Sequence, residues 1–256
     1  RIHPRYSPTT RPMNPRIVNA FNGWHWIVAA FHLFAKAPLM WVVLNLILAA
    51  LWLTSFVIPF LGAVVFNLFS MVLFAGLLMA CLATERGELM RVTYLLAGFS
   101  LNTRALVFVG GVYLAGQLLV TGVVWLNLDP KILELIKPGT IPGPETASAV
   151  IQGLRVPLLI AMLLYTPLLM AIWFAPALII FENLSAPDAL RQSFKACMIN
   201  TLPMLVYGLA LFLLLSIATI PFFLGLLVLI PVTFCSVYTS YKDIFCGQSP
   251  VPAKAS

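Results

Sequence analysis

The stretch Trp173–Gly208, WFAPALIIFENLSAPDALRQSFKACMINTLPMLVYG, decides how the whole chain is read. Trp173 to Phe181 ends one apolar run, and Thr201 onward enters the next. Between them Ser185 and Asp188 stand at capping-box spacing, with Pro187 in the first turn, where its missing N–H costs little. This predicts a short helix over Ser185–Ile199. Ala186, Leu190, Phe194, Cys197 and Met198 fall on one face, and Asp188, Arg191, Gln192 and Lys195 on the other. A two-faced helix between two apolar runs is expected to lie flat on a membrane surface, apolar side down. The competing reading is a soluble helix packed on its own core.

Composition sets the class around that helix. Apolar residues make up 61% of the 256 and charged residues 9%, too few charges to cover a soluble protein of this length. Several apolar runs exceed the roughly 18 residues that mark a transmembrane helix. They are continuous rather than alternating, which excludes a barrel. The expectation is an all-α polytopic membrane protein.

Residues 1–20 read as a basic, Pro-rich cytoplasmic tail: four prolines oppose a helix, and four arginines lack acidic neighbours. It does not have the form of a signal peptide. Residues 21–246 read as the membrane domain and 247–256 as a C-terminal tail. The domain opens with a surface helix, Asn22–Lys36, striped by Trp24, Ile27, Phe31 and Phe34. His25 and His32 on it read as interfacial polar residues. Six spans follow, near 38–58, 61–83, 105–126, 150–181, 202–220 and 222–241. A second surface helix, Leu89–Leu101, presents Leu89, Val92, Leu96 and Phe99. The loop 127–146 holds a short helical candidate, Lys131–Ile136. Pro157, Pro167 and Pro176 should bend the long fourth span or confine part of it to the interface.

With both termini inside, twelve Lys and Arg fall on inner segments and only Lys131, Lys137 and Arg155 on outer ones. The net charge of +7 is thus accounted for by topology, and no basic patch with interleaved aromatics points to nucleic acid. Arg11, Arg16 and Trp24 are the expected lipid-headgroup contacts. The pattern also repeats. Asn102-Thr103 and Gly110 match Asn200-Thr201 and Gly208 at one offset, and Pro59-Phe60-Leu61-Gly62 echoes Pro221-Phe222-Phe223-Leu224-Gly225. The unit is a surface helix followed by a hairpin of two spans, occurring three times in one orientation.

Gly23-Trp24, Glu85-Arg86-Gly87-Glu88, Ala97-Gly98-Phe99, and Phe174-Ala175-Pro176-Ala177-Leu178 leading into Ala189-Leu190 and Ser193-Phe194 carry a resemblance over most of residues 20–246. The chain resembles six-pass bacterial inner-membrane proteins, which are similar to the membrane domain accompanying some glycerophosphodiester phosphodiesterases. The resemblance implies a fold and a bacterial inner-membrane location, and brings no catalytic residue. The phosphodiesterase domain itself is not in this sequence.

The residues permit little chemistry. No Asp, Glu, Lys, Arg or His falls in the middle of a predicted span, which weighs against proton-coupled transport and intramembrane hydrolysis. Glu182 is the nearest, expected to pair with Arg191 or Lys195. Glu85, Glu88, Glu182 and Asp188 could gather at the cytoplasmic rim. Cys81, Cys197, Cys235 and Cys246 lack CxxC spacing and lie towards the cytoplasmic side. No metal, phosphate-loop or nucleophile motif occurs, so no cofactor is expected. Gly76 with Ala80, and Gly111 with Ala115, stand four apart and suit close helix packing. Two functions remain: a non-catalytic accessory or scaffold subunit of an inner-membrane complex, with lipids and other membrane proteins as partners, and a handler of lipids or hydrophobic solutes.

Overall fold

The computed structural model describes residues 14–58, 61–129, 132, 144–220, 222 and 224–248. Arg11 and nearly all of the candidate loop helix lie outside them. The described residues are helical, with no strand among them. In chain order they form α1 (Asn22–Lys36), α2 (Pro38–Thr54), α3 (Leu61–Glu85), a 3₁₀ helix (Val92–Ser100), α4 (Thr103–Leu126), α5 (Pro144–Ile172), α6 (Ala175–Glu182), α7 (Ala186–Ile199), α8 (Thr201–Thr219) and α9 (Leu226–Cys246). The chain divides into two compact units. One joins the chain up to Gly111 to the chain from Met170, and the other is Val112–Leu169.

Four stretches are long and apolar enough to cross a membrane: Leu61–Glu85, Thr103–Leu126, Ser148–Glu182 and Thr201–Thr219. Helices α1 and α2 pass as a fifth only when taken together, and they are bent by 100°. The bend follows from Pro38. The residue before a proline is pushed out of the helical region, and Ala37 sits at φ −148°, ψ 56°. Helix α9 does not reach the same apolar standard. It runs past the expected end at Tyr241 to Cys246, and its second half carries Ser236, Thr239, Ser240 and Asp243, all buried in the first unit.

That unit is built on α9 and α1. Gly23, Trp26, Ile27, Ala30, Leu33 and Phe34 of α1 are buried. A Cβ on Gly23 would collide with Pro203 O and come within 2.7 Å of Tyr207 N, so α1 meets α8 backbone to backbone. Helix α1 is apolar on two faces: Trp24 and Phe31 of the expected stripe are exposed, while Ile27 and Phe34 turn inward. The 3₁₀ helix packs on α3 in the same close manner. A Cβ on Gly76 would strike Leu95 O, and one on Gly98 would strike Val72 O. Leu89, Val92, Leu96 and Phe99, the row expected on this segment, all remain exposed.

Helix α5 runs through Pro157 and Pro167, then stops at Trp173-Phe174 ahead of Pro176. Pro176 has no N–H for Ile172 O, and its ring crowds that carbonyl. The chain resumes as α6, which ends on Asn183 in the left-handed region at φ 53°. In the second unit, Tyr113 and Tyr165 join hydroxyls at 2.6 Å and Gly116 lies against Leu168.

Candidate functional site

The residues with chemistry to offer collect along the last turns of α9. Ser236, Thr239, Ser240 and Asp243 recur at helical spacing and form a polar seam on the face of α9 opposite Tyr238 and Tyr241. Asp243 is fully buried. A carboxylate so placed needs donors, because an unpaired buried charge costs several kcal/mol. Asp243 has them from three residues. Arg16 Nη2 reaches Oδ1, while Asn22 Nδ2 and Trp26 Nε1 donate to Oδ2 at 2.7 and 2.8 Å. The backbone adds Arg16 N to Ile244 O at 3.0 Å, and Arg16 Nε donates to Asp243 O at 2.5 Å.

Asn200, between α7 and α8, fastens the same segment from the other side. Its Oδ1 accepts from Val18 N at 2.9 Å, and its Nδ2 donates to Arg16 O at 3.0 Å. Residues 14–19 therefore form an irregular strap held by side chains, as the prolines nearby require. Lys195 Nζ completes it by donating to Asn14 Oδ1 at 3.3 Å.

Two further carboxylates are held by α9. Glu85, at the end of α3, accepts from Tyr238 OH at 2.6 Å on Oε2 and pairs through Oε1 with Lys242. Glu182, at the end of α6, accepts from Tyr241 OH at 2.5 Å. This is where the structure differs from the expected pairing of Glu182 with Arg191 or Lys195: the carboxylate takes the Tyr241 hydroxyl on the packed side, while Arg191 and Lys195 are exposed. Glu88 instead takes the Tyr94 hydroxyl at 3.1 Å, and burial and that carboxylate raise the Tyr94 phenol above its ordinary pKa. Asp188 stays local, with Ser185 Oγ donating to its Oδ2 at 2.5 Å. The four acidic residues expected at one rim thus separate into two held by α9 and two bound within their own segments. Beside the Glu85–Lys242 pair lies a cleft of about 350 Å³, lined by Ala29, His32, Leu33, Lys36, Glu85, Thr239, Lys242 and Gln248.

The chain is similar to a known bacterial protein. It is 29% identical over 257 aligned positions to one named a probable inner membrane protein from Burkholderia thailandensis, covering 91% of this chain and 94% of the relative. No family model matches the chain, and no solved structure matches it.

Ser185 caps α7, its Oγ accepting from Asp188 N at 3.3 Å. Arg191 and Lys195 are exposed. Phe194 is 38% exposed and Met198 52%, whereas Ala186, Ala189, Ser193, Ala196 and Cys197 are buried. The single stripe expected on α7 is therefore two rows: small residues against the protein, and Leu190, Phe194 and Met198 beside them. Gly76 is buried in the contact with the 3₁₀ helix, and Ala80 is buried one turn further along α3. In α4 the close approach belongs to Gly110, where a Cβ would strike Leu68 O. Gly111 has only Leu68 Cδ2 at 3.7 Å, and Ala115 is exposed, because both point away from that backbone contact. Trp24 is exposed, and Arg16 commits its guanidinium to Asp243 with 42% of its side chain still accessible.

Sequence reasoning gave Asp243 no role, and read Asn200 and Ser193 only as markers of the repeat and of the resemblance. Ser193 Oγ accepts from Phe174 N at 2.9 Å and donates to Met170 O at 2.7 Å. Those two backbone groups would bond each other in an unbroken helix, so the hydroxyl stands in the gap that Pro176 opens. The available signal for Asp243 was the seam Ser236, Thr239, Ser240, Asp243, a polar row at helical spacing among aromatics.

Proposed function

We propose that this protein is a non-catalytic integral protein of the bacterial inner membrane, acting as an accessory or scaffold subunit of a larger membrane complex. One observation carries the reading: Glu85, Glu182 and Asp243 are all committed to tyrosine, lysine, arginine, asparagine or tryptophan partners within the fold. General acid–base work needs a group left available to a reacting atom. Here the carboxylates tie α3, α6, the strap and α1 to α9, and so build a rigid body.

In this reading six helices cross the bilayer: α2, α3, α4, the α5–α6 pair, α8 and α9. Both termini are cytoplasmic. The element order supports three repeats, since α1, the 3₁₀ helix and α7 each precede a long apolar helix after a break of one or two residues. Helix α2 has 17 residues, at the short limit for a span. The 100° bend would lay α1 along the surface when α2 crosses. The relative's printed name supports the inner membrane as location. The likeness to the phosphodiesterase-associated membrane domain is taken as one of fold, with no activity transferred.

The second reading is a handler of lipids or hydrophobic solutes. It is favoured by the exposed rows on α7 and the 3₁₀ helix. Native purification separates the two. Stoichiometric co-purifying polypeptides are expected. Bound lipid with no polypeptide partner would overturn the scaffold reading in favour of the second.

A further inference from the structure

We infer that the cleft between α1 and the end of α9 is a binding site for a phosphodiester, the headgroup phosphate of an anionic phospholipid. The lining is rich in donors and poor in free acceptors. Lys36 and His32 stand one turn apart on the cleft side of α1, both exposed. Lys242 faces them from α9, with Gln248 beyond it. The one carboxylate present, Glu85, has both oxygens taken, by Lys242 and by Tyr238. Thr239 is likewise engaged, donating to Trp26 O at 2.9 Å. Among the described residues the Lys36 ammonium has neither an ion pair nor a hydrogen bond. The cleft thus holds two lysines against the single Glu85 carboxylate, whose charge both of them feel, and its remaining N–H donors are a set that calls for an acceptor-rich anion.

The charge balance selects among phosphates. Lys36 lies in the last turn of α1, whose carbonyl end carries partial negative charge and offsets part of the ammonium. A single, partly offset positive charge matches a monoanionic phosphodiester better than a dianionic phosphate. The walls agree with a lipid: Ala29 and Leu33 give the cleft an apolar side. Trp24, Val28 and Phe31, on the remaining surface of α1, are exposed apolar groups suited to acyl chains. The volume of about 350 Å³ falls in the range of small-ligand sites. The inference rests on the proposed orientation only for the leaflet, and stands whether or not the protein is a scaffold.

The test is native mass spectrometry of the full chain, delipidated in mild detergent and titrated with phosphatidylglycerol, with and without inorganic phosphate. Lys36→Gln and His32→Ala are compared with Arg104→Gln, a cytoplasmic-side charge outside the cleft. Circular dichroism confirms that each variant is folded. Phosphatidylglycerol retention should fall about tenfold in Lys36→Gln, the loss of one charge-assisted contact, and stay near wild type in Arg104→Gln. Retention insensitive to millimolar inorganic phosphate identifies the lipid headgroup. Displacement by inorganic phosphate that is itself lost in Lys36→Gln keeps the anion site but makes its occupant soluble. Equal losses in Lys36→Gln and Arg104→Gln, or no loss in Lys36→Gln and His32→Ala, overturn the site. Failure of the scaffold reading shows only in co-purifying polypeptides, which this titration does not measure.

Discussion

Asp243 shows how much a single buried carboxylate can organise when all its neighbours are donors. Arg16, Asn22 and Trp26 come from the strap and α1; among the described residues Arg16 Nε also has the Asp243 carbonyl, while the side-chain donors of Asn22 and Trp26 have no acceptor but the carboxylate. Replacing Asp243 by Ala leaves three donors facing a void. We expect a loss of about 3 kcal/mol, the lower part of the range for a broken buried pair because Arg16 keeps partial access to solvent. Thermal unfolding in detergent, followed by tryptophan fluorescence, measures it. A change within about 0.5 kcal/mol, the scale of an ordinary surface substitution, would show the cluster to be dispensable. Ser193 makes the same argument for the backbone. Ser193→Ala strips Phe174 N of its partner and leaves Met170 O only the weak Cys197 thiol at 3.5 Å, for an expected cost of about 2 kcal/mol. Ser193→Thr, which keeps the hydroxyl, separates that loss from the crowding of an added methyl. Cys197, one turn further on, is pushed up to about 12 by burial. Its thiolate is absent well above neutral pH, so it should resist maleimide at pH 8 and label only on unfolding.

At the scale of elements, glycine decides which helices touch. Gly98→Ala should force the 3₁₀ helix away from Val72 and lower the melting temperature, at a cost of about 2 kcal/mol, typical of overpacking. Gly111→Ala, with its nearest neighbour at 3.7 Å, should be neutral or slightly stabilising through helix propensity. If the two behave alike in thermal unfolding, backbone contact is not what holds the 3₁₀ helix. The contrast also shows what was legible beforehand. The α7 cap could be read from Ser185, Pro187 and Asp188 because capping is local, and the cap is present. Gly76 could be picked out by its spacing from Ala80, since small residues repeat where helices approach. Gly110 against Gly111 could not, because one residue of rotation depends on where the neighbouring helix lies. The same holds for α7: Ala189 and Ala196 look unremarkable beside Leu190 and Phe194, yet they form the buried row. Asp243 was hidden for a related reason. It falls just beyond an apolar run, where a charge ordinarily marks an interface, and only the strap arriving from far along the chain makes that place an interior.

For the whole molecule, the proposed orientation, with most lysines and arginines inside, sets the expected outcome of a topology experiment. Cys246 is exposed near the C-terminal end of α9, while Cys81, Cys197 and Cys235 are buried. An impermeant maleimide should label Cys246 in inverted membrane vesicles and not in intact spheroplasts. A reporter fused after Thr146 should report from the opposite side. Labelling of Cys246 in spheroplasts would reverse the orientation. The strap has a further consequence for how the protein is made. Arg16 and Asp243 are separated by 227 positions. At ~5–20 residues per second, synthesis of the intervening chain takes on the order of 10–45 seconds. Throughout that interval Trp26 and Asn22 wait for a partner that has not yet been translated. Closing of this contact therefore marks completion: a chain that stops before the last helix keeps α1 against α8 and the strap on Asn200, but leaves the side chains of Arg16, Asn22 and Trp26 without the Asp243 carboxylate.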